Sequence, residues 1–249
     1  MPDGVGALFF ERCDSTNEMA TAFARDGVQG PLWVVAGEQG QGRGRRGRQW
    51  TSKPGNLYAS LLFRPSLKPQ DLVALPYISA LAVRDTFIGL GAPDADVRCK
   101  WPNDVLIGGR KASGILIESS ATHGGLLDYV IIGIGMNLIH FPEDAAFDAT
   151  SLLAETGREV SVRDAVTGLA SAIYARINAW NVADFDPVAA EWTNHSWGLG
   201  EAREIRTHDQ TFHAVLEGLA SDGGLIARLD DGSEKRLYAG DIFPVARAE

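Results

Sequence analysis

The feature that most constrains this chain is a glycine-rich arginine segment at residues 38–50, with the sequence EQGQGRGRRGRQW. It follows the apolar, β-favouring run at residues 32–36, so it is predicted to be a loop that leaves a strand. Glycine permits backbone conformations that other residues avoid, and arginine supplies permanently charged, forked hydrogen-bond donors. Such a loop is suited to bind an anion.

Two simpler interpretations of this segment are a solvated basic loop and a disordered nucleic-acid-binding segment. The chain carries 32 acidic and 23 basic residues, for a net charge of −9. A protein that binds duplex nucleic acid is usually basic over a whole face, because its affinity comes from neutralising many phosphates. One concentrated basic site in an acidic chain instead indicates one small anionic ligand.

The length of 249 residues allows one large domain, or a large domain followed by a small one. Two cysteines, Cys13 and Cys99, are too few for a disulfide framework and are predicted to be buried thiols. The N-terminus lacks the features of a signal peptide, and no apolar run approaches the length of a membrane span. We therefore expect a cytoplasmic protein that binds no membrane.

Strand and helix patterns alternate irregularly along the first 198 residues and predict an α+β fold with a mixed or antiparallel central sheet flanked by helices. Ser15 and Glu18 fit a capping box at the start of a helix, and Gly108-Gly109 fits the turn of a β-hairpin. Strands are predicted at residues 8–10, 32–36, 56–63, 97–101, 105–107, 111–118 and 129–134, and helices at residues 19–25, 72–90 and from 161 onward.

From about residue 200 the pattern changes to short strands separated by tight turns, which is typical of a small β-barrel. We place the domain boundary near residue 198. This gives a first domain at residues 1–198 and a second at residues 199–249.

The arginine loop and Lys111 supply the positive groups that would be needed if the ligand is a carboxylic acid activated by ATP, since negative charge then develops on phosphoryl oxygens. Lys111 could also be a solvated turn residue, although Gly114 would let a ligand lie against its strand. Asp104 could be a turn residue or could bind Mg²⁺ through water. The five histidines, His123 among them, show no ligand spacing, so we expect no metal held by the protein alone.

Five motifs, in this order, resemble those of the biotin protein ligases (biotin–[acetyl-CoA-carboxylase] ligases), and they lie within residues 8–153. Any one of the motifs alone is weak evidence for the family, but the set in this order is highly specific for it. They are Ser15-Thr16-Asn17, Gln39 with residues 42–50, KWPNDV at residues 100–105, Lys111 with residues 114–116, and GIGMN at residues 133–137.

The resemblance implies a class II synthetase-like catalytic domain, an SH3-like C-terminal domain, and a reaction in which biotin and MgATP form biotinyl-5′-AMP. A lysine of the biotin carboxyl carrier protein of acetyl-CoA carboxylase then takes the biotinyl group. Lys111 and Arg45 would be catalytic. Biotin would be bound by Ser15, Thr16, Asn17, Gln39, Gly42, Arg43, Gly44, Arg45, Lys111 and Gly114. ATP and the adenylate would be bound by Arg43, Arg45, Arg48, Trp50, Asn103, Lys111 and Asn137.

Two other functions stay open at this point, namely a lipoate or octanoate ligase of related fold and a non-catalytic ligand-binding module. Some relatives carry a winged-helix DNA-binding domain before the catalytic one, whereas here the motifs begin almost at Met1, so we expect no nucleic-acid binding. The sequence does not distinguish a monomer from a weak homodimer. It also does not identify the residue of the 141–149 loop that would cover the adenine.

Overall fold

The larger part of the protein is built on a seven-stranded sheet. The computed structural model describes residue 2, residues 4–122 and residues 124–245. The strands are β1 (Gly6–Cys13), β2 (Leu32–Gln39), β3 (Leu57–Phe63), β4 (Val97–Lys100), β5 (Asp104–Ile107), β6 (Arg110–Ala121) and β7 (Leu127–Met136). Their spatial order is β1-β2-β3-β7-β6-β5-β4. The β1 and β2 pair is parallel and the other pairs are antiparallel, which confirms the predicted mixed sheet.

Helices cover both faces of this sheet because successive side chains of a strand point to opposite faces. On one face, Val34 and Leu62 pack with Ala20 of α1 (Thr16–Arg25). On the other face, Trp33 and Leu61 belong to the main core together with α2 (Leu75–Gly89) and α4 (Val162–Ala179). Two further α-helices, α3 (Leu152–Thr156) and α5 (Asp186–Asn194), complete the set of α-helices among the described residues.

The helix predicted at residues 72–90 is confirmed as a short 3₁₀ segment, Pro69–Ala74, that continues into α2. Pro76 lies at the start of α2, where its fixed φ is favourable and its missing N–H costs nothing. The stretch Pro69–Gly89 is long and apolar enough to cross a membrane, but 67% of its most apolar window is buried inside the protein. The expectation that no apolar run approaches the length of a membrane span is therefore wrong, and the burial of this stretch shows that it packs in the core.

The C-terminal part forms a separate antiparallel sheet with the order β11-β10-β9-β8-β12. The strands are β8 (Ala202–Arg206), β9 (Thr211–Leu219), β10 (Leu225–Arg228), β11 (Glu234–Leu237) and β12 (Asp241–Pro244). The predicted all-β tail is thus confirmed, but β12 is an additional strand, which pairs with β8 and carries Asp241. The boundary at residue 198 stays a prediction.

Candidate active site

The arginine segment forms a hairpin-like loop. Strand β2 extends to Gln39, three residues further than predicted, and the loop then turns back on itself through a 3₁₀ turn at Arg45–Gly47. The N–H of Gly44 donates to the carbonyl of Arg48 at 2.7 Å, and the N–H of Trp50 donates to the carbonyl of Gly42 at 2.8 Å. These bonds fix the loop over one face of the sheet.

Beneath this loop lies a cavity that brings together most of the residues predicted for the ligand site. Gly42 is the exception among the loop residues, because it is buried against Trp50 and does not line the cavity; a Cβ there would lie 2.5 Å from the carbonyl oxygen of Trp50. The predicted residues that line the cavity are Ser15, Thr16, Asn17, Gln39, Arg43, Gly44, Arg45, Arg48, Trp50, Asn103, Asp104, Lys111 and Gly114.

One end of the cavity is a network of hydroxyl and amide groups. Gln39 Oε1 accepts from the Thr16 N–H at 2.9 Å, and the Ser60 hydroxyl donates to Asn17 Oδ1 at 2.6 Å. The Asn17 amide nitrogen donates to Glu118 Oε2 at 2.7 Å. Each amide therefore has a fixed orientation and presents both donors and acceptors to a ligand.

The start of α1 differs from the predicted capping box. Ser15 occupies the N-cap position with an extended backbone, but its side chain makes no capping hydrogen bond. Ser15 is buried and lines the cavity instead. The hydroxyl that the pattern assigned to the helix is therefore available to the site.

The floor of the cavity is made of glycines, because the side chains of Asn17 and Trp50 lie directly on the sheet and leave no room for a Cβ beneath them. A Cβ on Gly133 would lie 2.1 Å from Asn17 Oδ1, and one on Gly135 would lie 2.5 Å from the indole of Trp50. Gly114 also lies under Trp50, with a Cβ-to-ring distance of 2.8 Å. The indole N–H of Trp50 is buried and lacks a hydrogen-bond partner among the described residues, so it can serve an acceptor on a ligand.

At the other end of the cavity, one carboxylate lies between two lysines. Lys111 Nζ is 2.7 Å from Asp104 Oδ1, and Lys100 Nζ is 3.5 Å from Asp104 Oδ2. Burial alone would raise the pKa of Asp104, but the two ammonium groups outweigh it and hold that pKa below its usual value. Asp104 and Lys100 are buried and Lys111 is partly exposed, and the three groups together carry one net positive charge, which suits an anionic ligand.

This arrangement does not favour Asp104 as a metal ligand, since both of its oxygens face ammonium groups. The prediction that it binds Mg²⁺ through water stays untested. Among the described residues, no group of three or more His, Cys, Asp or Glu side chains could hold a metal ion. His123 lies outside the described residues.

The arginines of the loop have different partners. Arg43 pairs with Glu18 and Glu118 at 3.4 Å, while Arg45 donates to Asn103 Oδ1 at 3.4 Å. Arg46 and Arg48 both pair with Asp241 of β12, the former at 3.6 Å. Burial, followed by the neighbouring Arg46, lowers the pKa of Arg45 from its ordinary value.

A second cavity adjoins the first through residues that line both, including Lys111, Trp50 and Arg48. Asn137 lines this second cavity rather than the first, and its side-chain amide donates to the Thr150 carbonyl at 3.0 Å. The loop at residues 141–149 forms one wall, where the ring centroid of Phe147 is 4.5 Å from Lys100 Nζ. Two neighbouring cavities can hold two substrates side by side.

Sequence reasoning missed several residues of this region. Ser60 connects Thr16 and Asn17 from β3, at distances of 2.7 and 2.6 Å. Tyr58 and Asp241 also line the first cavity, and burial raises the pKa of Tyr58 to about 12. The sequence offered one signal for Ser60, namely that it is a polar residue within an otherwise apolar strand.

Comparisons with known proteins agree with this geometry. Residues 9–137 match the model of the biotin/lipoate A/B protein ligase family, and residues 198–243 match the biotin protein ligase C terminal domain. The chain is 38% identical to the biotin–[acetyl-CoA-carboxylase] ligase of Paracoccus denitrificans, over 93% of this chain and 98% of that protein. It is 30% identical to the bifunctional ligase/repressor BirA of Bacillus subtilis, over 96% of this chain and 74% of that protein.

Solved structures with the same architecture include the biotin protein ligase of Aquifex aeolicus in complex with biotin and ATP. That structure has a TM-score of 0.79 and 26% identity, over 95% of this chain and 97% of that chain. The biotin protein ligase of Leishmania major in complex with biotinyl-5-AMP has a TM-score of 0.68 and 29% identity, over 96% of this chain and all of that chain.

Proposed function

Because the chain belongs to the biotin/lipoate A/B protein ligase family, we propose that its two adjoining cavities bind biotin and ATP side by side. The chain is an ATP-dependent ligase that activates biotin to biotinyl-5′-AMP and transfers the biotinyl group to a lysine of the biotin carboxyl carrier protein. One observation supports the roles that we give to individual residues: Arg45 and Lys111 line the same cavity as the amide and hydroxyl network. ATP enters as its Mg²⁺ complex, so the metal arrives with the substrate.

The hydroxyl and amide network is the proposed site of the biotin ring. A ureido group has N–H donors and a carbonyl acceptor, and the side chains of Asn17 and Gln39 together with the Ser15 and Thr16 hydroxyls offer both kinds of partner. The glycine floor leaves room for the bicyclic ring against the sheet. The valeryl chain of biotin then runs toward Lys111, and each buried methylene contributes about 0.8 kcal/mol.

The proposed chemistry takes place where the two cavities meet. A carboxylate oxygen of biotin attacks the α-phosphorus of ATP, a P–O bond forms, and pyrophosphate leaves. The Lys111 ammonium and the Arg45 guanidinium stabilise the negative charge that develops on the phosphoryl oxygens. In the second step, the deprotonated amine of the carrier lysine attacks the acyl carbon, an amide bond forms, and AMP leaves.

We assign the nucleotide to the second cavity, where Asn137, Arg48 and Trp50 contribute polar and aromatic groups. Phe147 is the aromatic residue that the 141–149 loop places in the wall of this cavity. Its ring also lies edge-on to Trp197, with centroids 5.5 Å apart. This contact supports Phe147 as the residue that covers the adenine.

The direct test of the function is to incubate the chain with labelled biotin, MgATP and a carrier domain. We expect the label on one carrier lysine, together with release of pyrophosphate. Lipoate in place of biotin separates this function from that of a lipoate ligase. A site that hydrogen-bonds the ureido group rejects an analogue without it by as much as about 10⁴–10⁵-fold, whereas equal turnover of both acids would contradict the assignment.

Asp241 is expected to compete with ATP for the arginine loop. Its carboxylate accepts a hydrogen bond from Arg48 and forms an ion pair with Arg46, and both arginines would otherwise be available to phosphate. An exposed ion pair of this kind is worth about 0.2–1 kcal/mol, so Asp241→Asn should lower the KM for ATP roughly 1.4- to 5-fold. Pyrophosphate release at varied ATP concentration measures this change. Asp230→Asn, on an exposed turn of the same domain, is the control, and a higher KM in Asp241→Asn would mean that Asp241 helps to bind the nucleotide.

We also propose that the chain acts in the cytoplasm, as a monomer or weak homodimer, and that it binds neither membrane nor nucleic acid. The net charge of −9 supports this, and so does the pairing of Arg43, Arg46 and Arg48 with carboxylates. A gel-shift titration at physiological salt is expected to detect no sequence-specific complex. Tight binding to a defined DNA sequence would contradict the proposal.

A further inference from the structure

A third cavity borders the active site on the side of Arg45 and Asn103. Arg45, Arg46, Asn103, Ile115 and Leu116 line both this cavity and the first one. The third cavity therefore has a common wall with the place where biotin is proposed to be activated. Its other walls come from both parts of the chain.

One wall of the third cavity is apolar, whereas the side that it shares with the first cavity is polar and carries Arg45 and Arg46. On one side lie Val73, Pro76 and Trp101. Tyr77 donates its hydroxyl hydrogen to the Gly223 carbonyl at 2.5 Å, and a Cβ on Gly223 would lie 2.3 Å from Val73. The turn between β9 and β10 is thus in direct contact with the start of α2 and forms the opposite side of the groove.

The rim of this cavity is formed by the C-terminal sheet and carries an exposed aromatic ring beside a carboxylate. Tyr238 is 63% exposed, more than any other large hydrophobic residue among those described. Its hydroxyl donates to Asp222 Oδ2 at 2.7 Å. Asp222 is itself exposed and also pairs with Arg236 at 3.4 Å, so its carboxylate attracts an ammonium group from outside in exchange for that partner.

We propose that the third cavity is the route by which the acceptor lysine of the carrier domain reaches the acyl carbon of biotinyl-5′-AMP. This inference rests on the proposed function. During transfer, the biotinyl group and the nucleotide occupy the first and second cavities, so the nucleophile must arrive from another side. The apolar wall suits the four methylenes of a lysine, and Asp222 at the rim can exchange Arg236 for the lysine ammonium group. Further in, the charges of Arg45 and Arg46 favour the neutral amine that the attack requires.

The transfer step is balanced without any further reactant. The neutral lysine amine forms a C–N bond to the acyl carbon, the bond between that carbon and the AMP oxygen breaks, and AMP leaves with the electron pair. The amine proton passes to the leaving phosphate or to solvent. Tyr238 and Asp222 would position the carrier, and neither takes part in adenylation.

The test is the double variant Tyr238→Ala/Asp222→Lys, which removes the exposed ring and reverses the charge at the rim. We expect kcat/KM for the carrier domain to fall at least about 10-fold, while biotin-dependent pyrophosphate release stays unchanged. Hydroxylamine, a small nucleophile that needs no docking surface, should capture the adenylate at the wild-type rate. Tyr238→Phe, which keeps the ring, should recover most of the carrier kcat/KM.

Tyr174→Ala/Asp230→Lys is the matched control, with the same types of change at exposed positions that do not line this cavity. It is expected to leave all three rates unchanged. Wild-type kinetics with the carrier in the rim variant would overturn the inference, as would an equal loss with hydroxylamine. If the proposed function itself were wrong, the wild-type chain would form no adenylate, and that outcome is distinct from both.

Discussion

Replacing Lys111 by alanine is expected to lower the rate of biotinyl-5′-AMP formation by about 10²–10³-fold and to leave the protein folded. The rate falls because a preorganised positive group next to the developing phosphoryl charge is lost, which costs about 2.7–4 kcal/mol of transition-state stabilisation. The fold is kept because Asp104 retains Lys100 at 3.5 Å as a partner. Single-turnover formation of the adenylate measures the rate, and thermal unfolding measures the fold.

The control for Lys111→Ala is Arg110→Ala, the adjacent residue of β6. Arg110 pairs with Glu155 at 2.6 Å and does not line the cavity, so its removal should leave the rate near that of the wild type. Lys111→Arg keeps the charge but changes the shape of the group, and an intermediate rate is expected. An unchanged rate in Lys111→Ala would remove this residue from the mechanism, whatever the stability of the variant.

Local chemistry was sufficient to predict the parts of this fold that depend on neighbouring residues. Gly108 and Gly109 both have positive φ, as a two-residue hairpin turn requires, and the hairpin between β5 and β6 follows directly from that dipeptide. The arginine loop was equally evident, because glycines and arginines alternate after a strand. The strands β8 to β11 could also be predicted, because clusters of turn residues separate them in the sequence.

Long-range contacts could not be predicted in the same way. Asn17 and Glu118 are 101 residues apart and are joined at 2.7 Å only because β6 and β7 lie beside β3 in the sheet. Strand β12 was missed because it has only four residues, includes Pro244, and is separated from β11 by three residues of which Gly240 alone favours a turn. Asp241, which β12 brings to Arg46 and Arg48, was therefore missed as well. Strand order, rather than propensity, decides which charges meet.

The floor of the biotin site provides the second large expected effect. Gly133→Ala should lower kcat/KM for biotin by roughly 30- to 150-fold, the equivalent of losing two hydrogen bonds of about 1–1.5 kcal/mol each. In the sheet, Gly133 lies between Ser60 and Leu116, and Asn17 spans it to reach Ser60 Oγ at 2.6 Å and the Leu116 carbonyl at 3.4 Å. A methyl group 2.1 Å from Asn17 Oδ1 must displace that side chain. Steady-state kinetics with varied biotin would measure the loss.

Gly168→Ala tests whether any added methyl group has this effect. Gly168 lies in α4, where a Cβ would be 3.6 Å from Thr86 Cγ2, so alanine should fit and raise the free energy of unfolding by about 0.5–1 kcal/mol without changing the kinetics. The decisive comparison is Gly133→Ala in an Asn17→Ala background. With the Asn17 amide removed, the methyl group has nothing to displace, so the added loss in kcat/KM should nearly vanish. The same loss in both backgrounds would mean that the methyl group at position 133 distorts the sheet. It would also mean that Asn17 makes no hydrogen bond to the biotin ring.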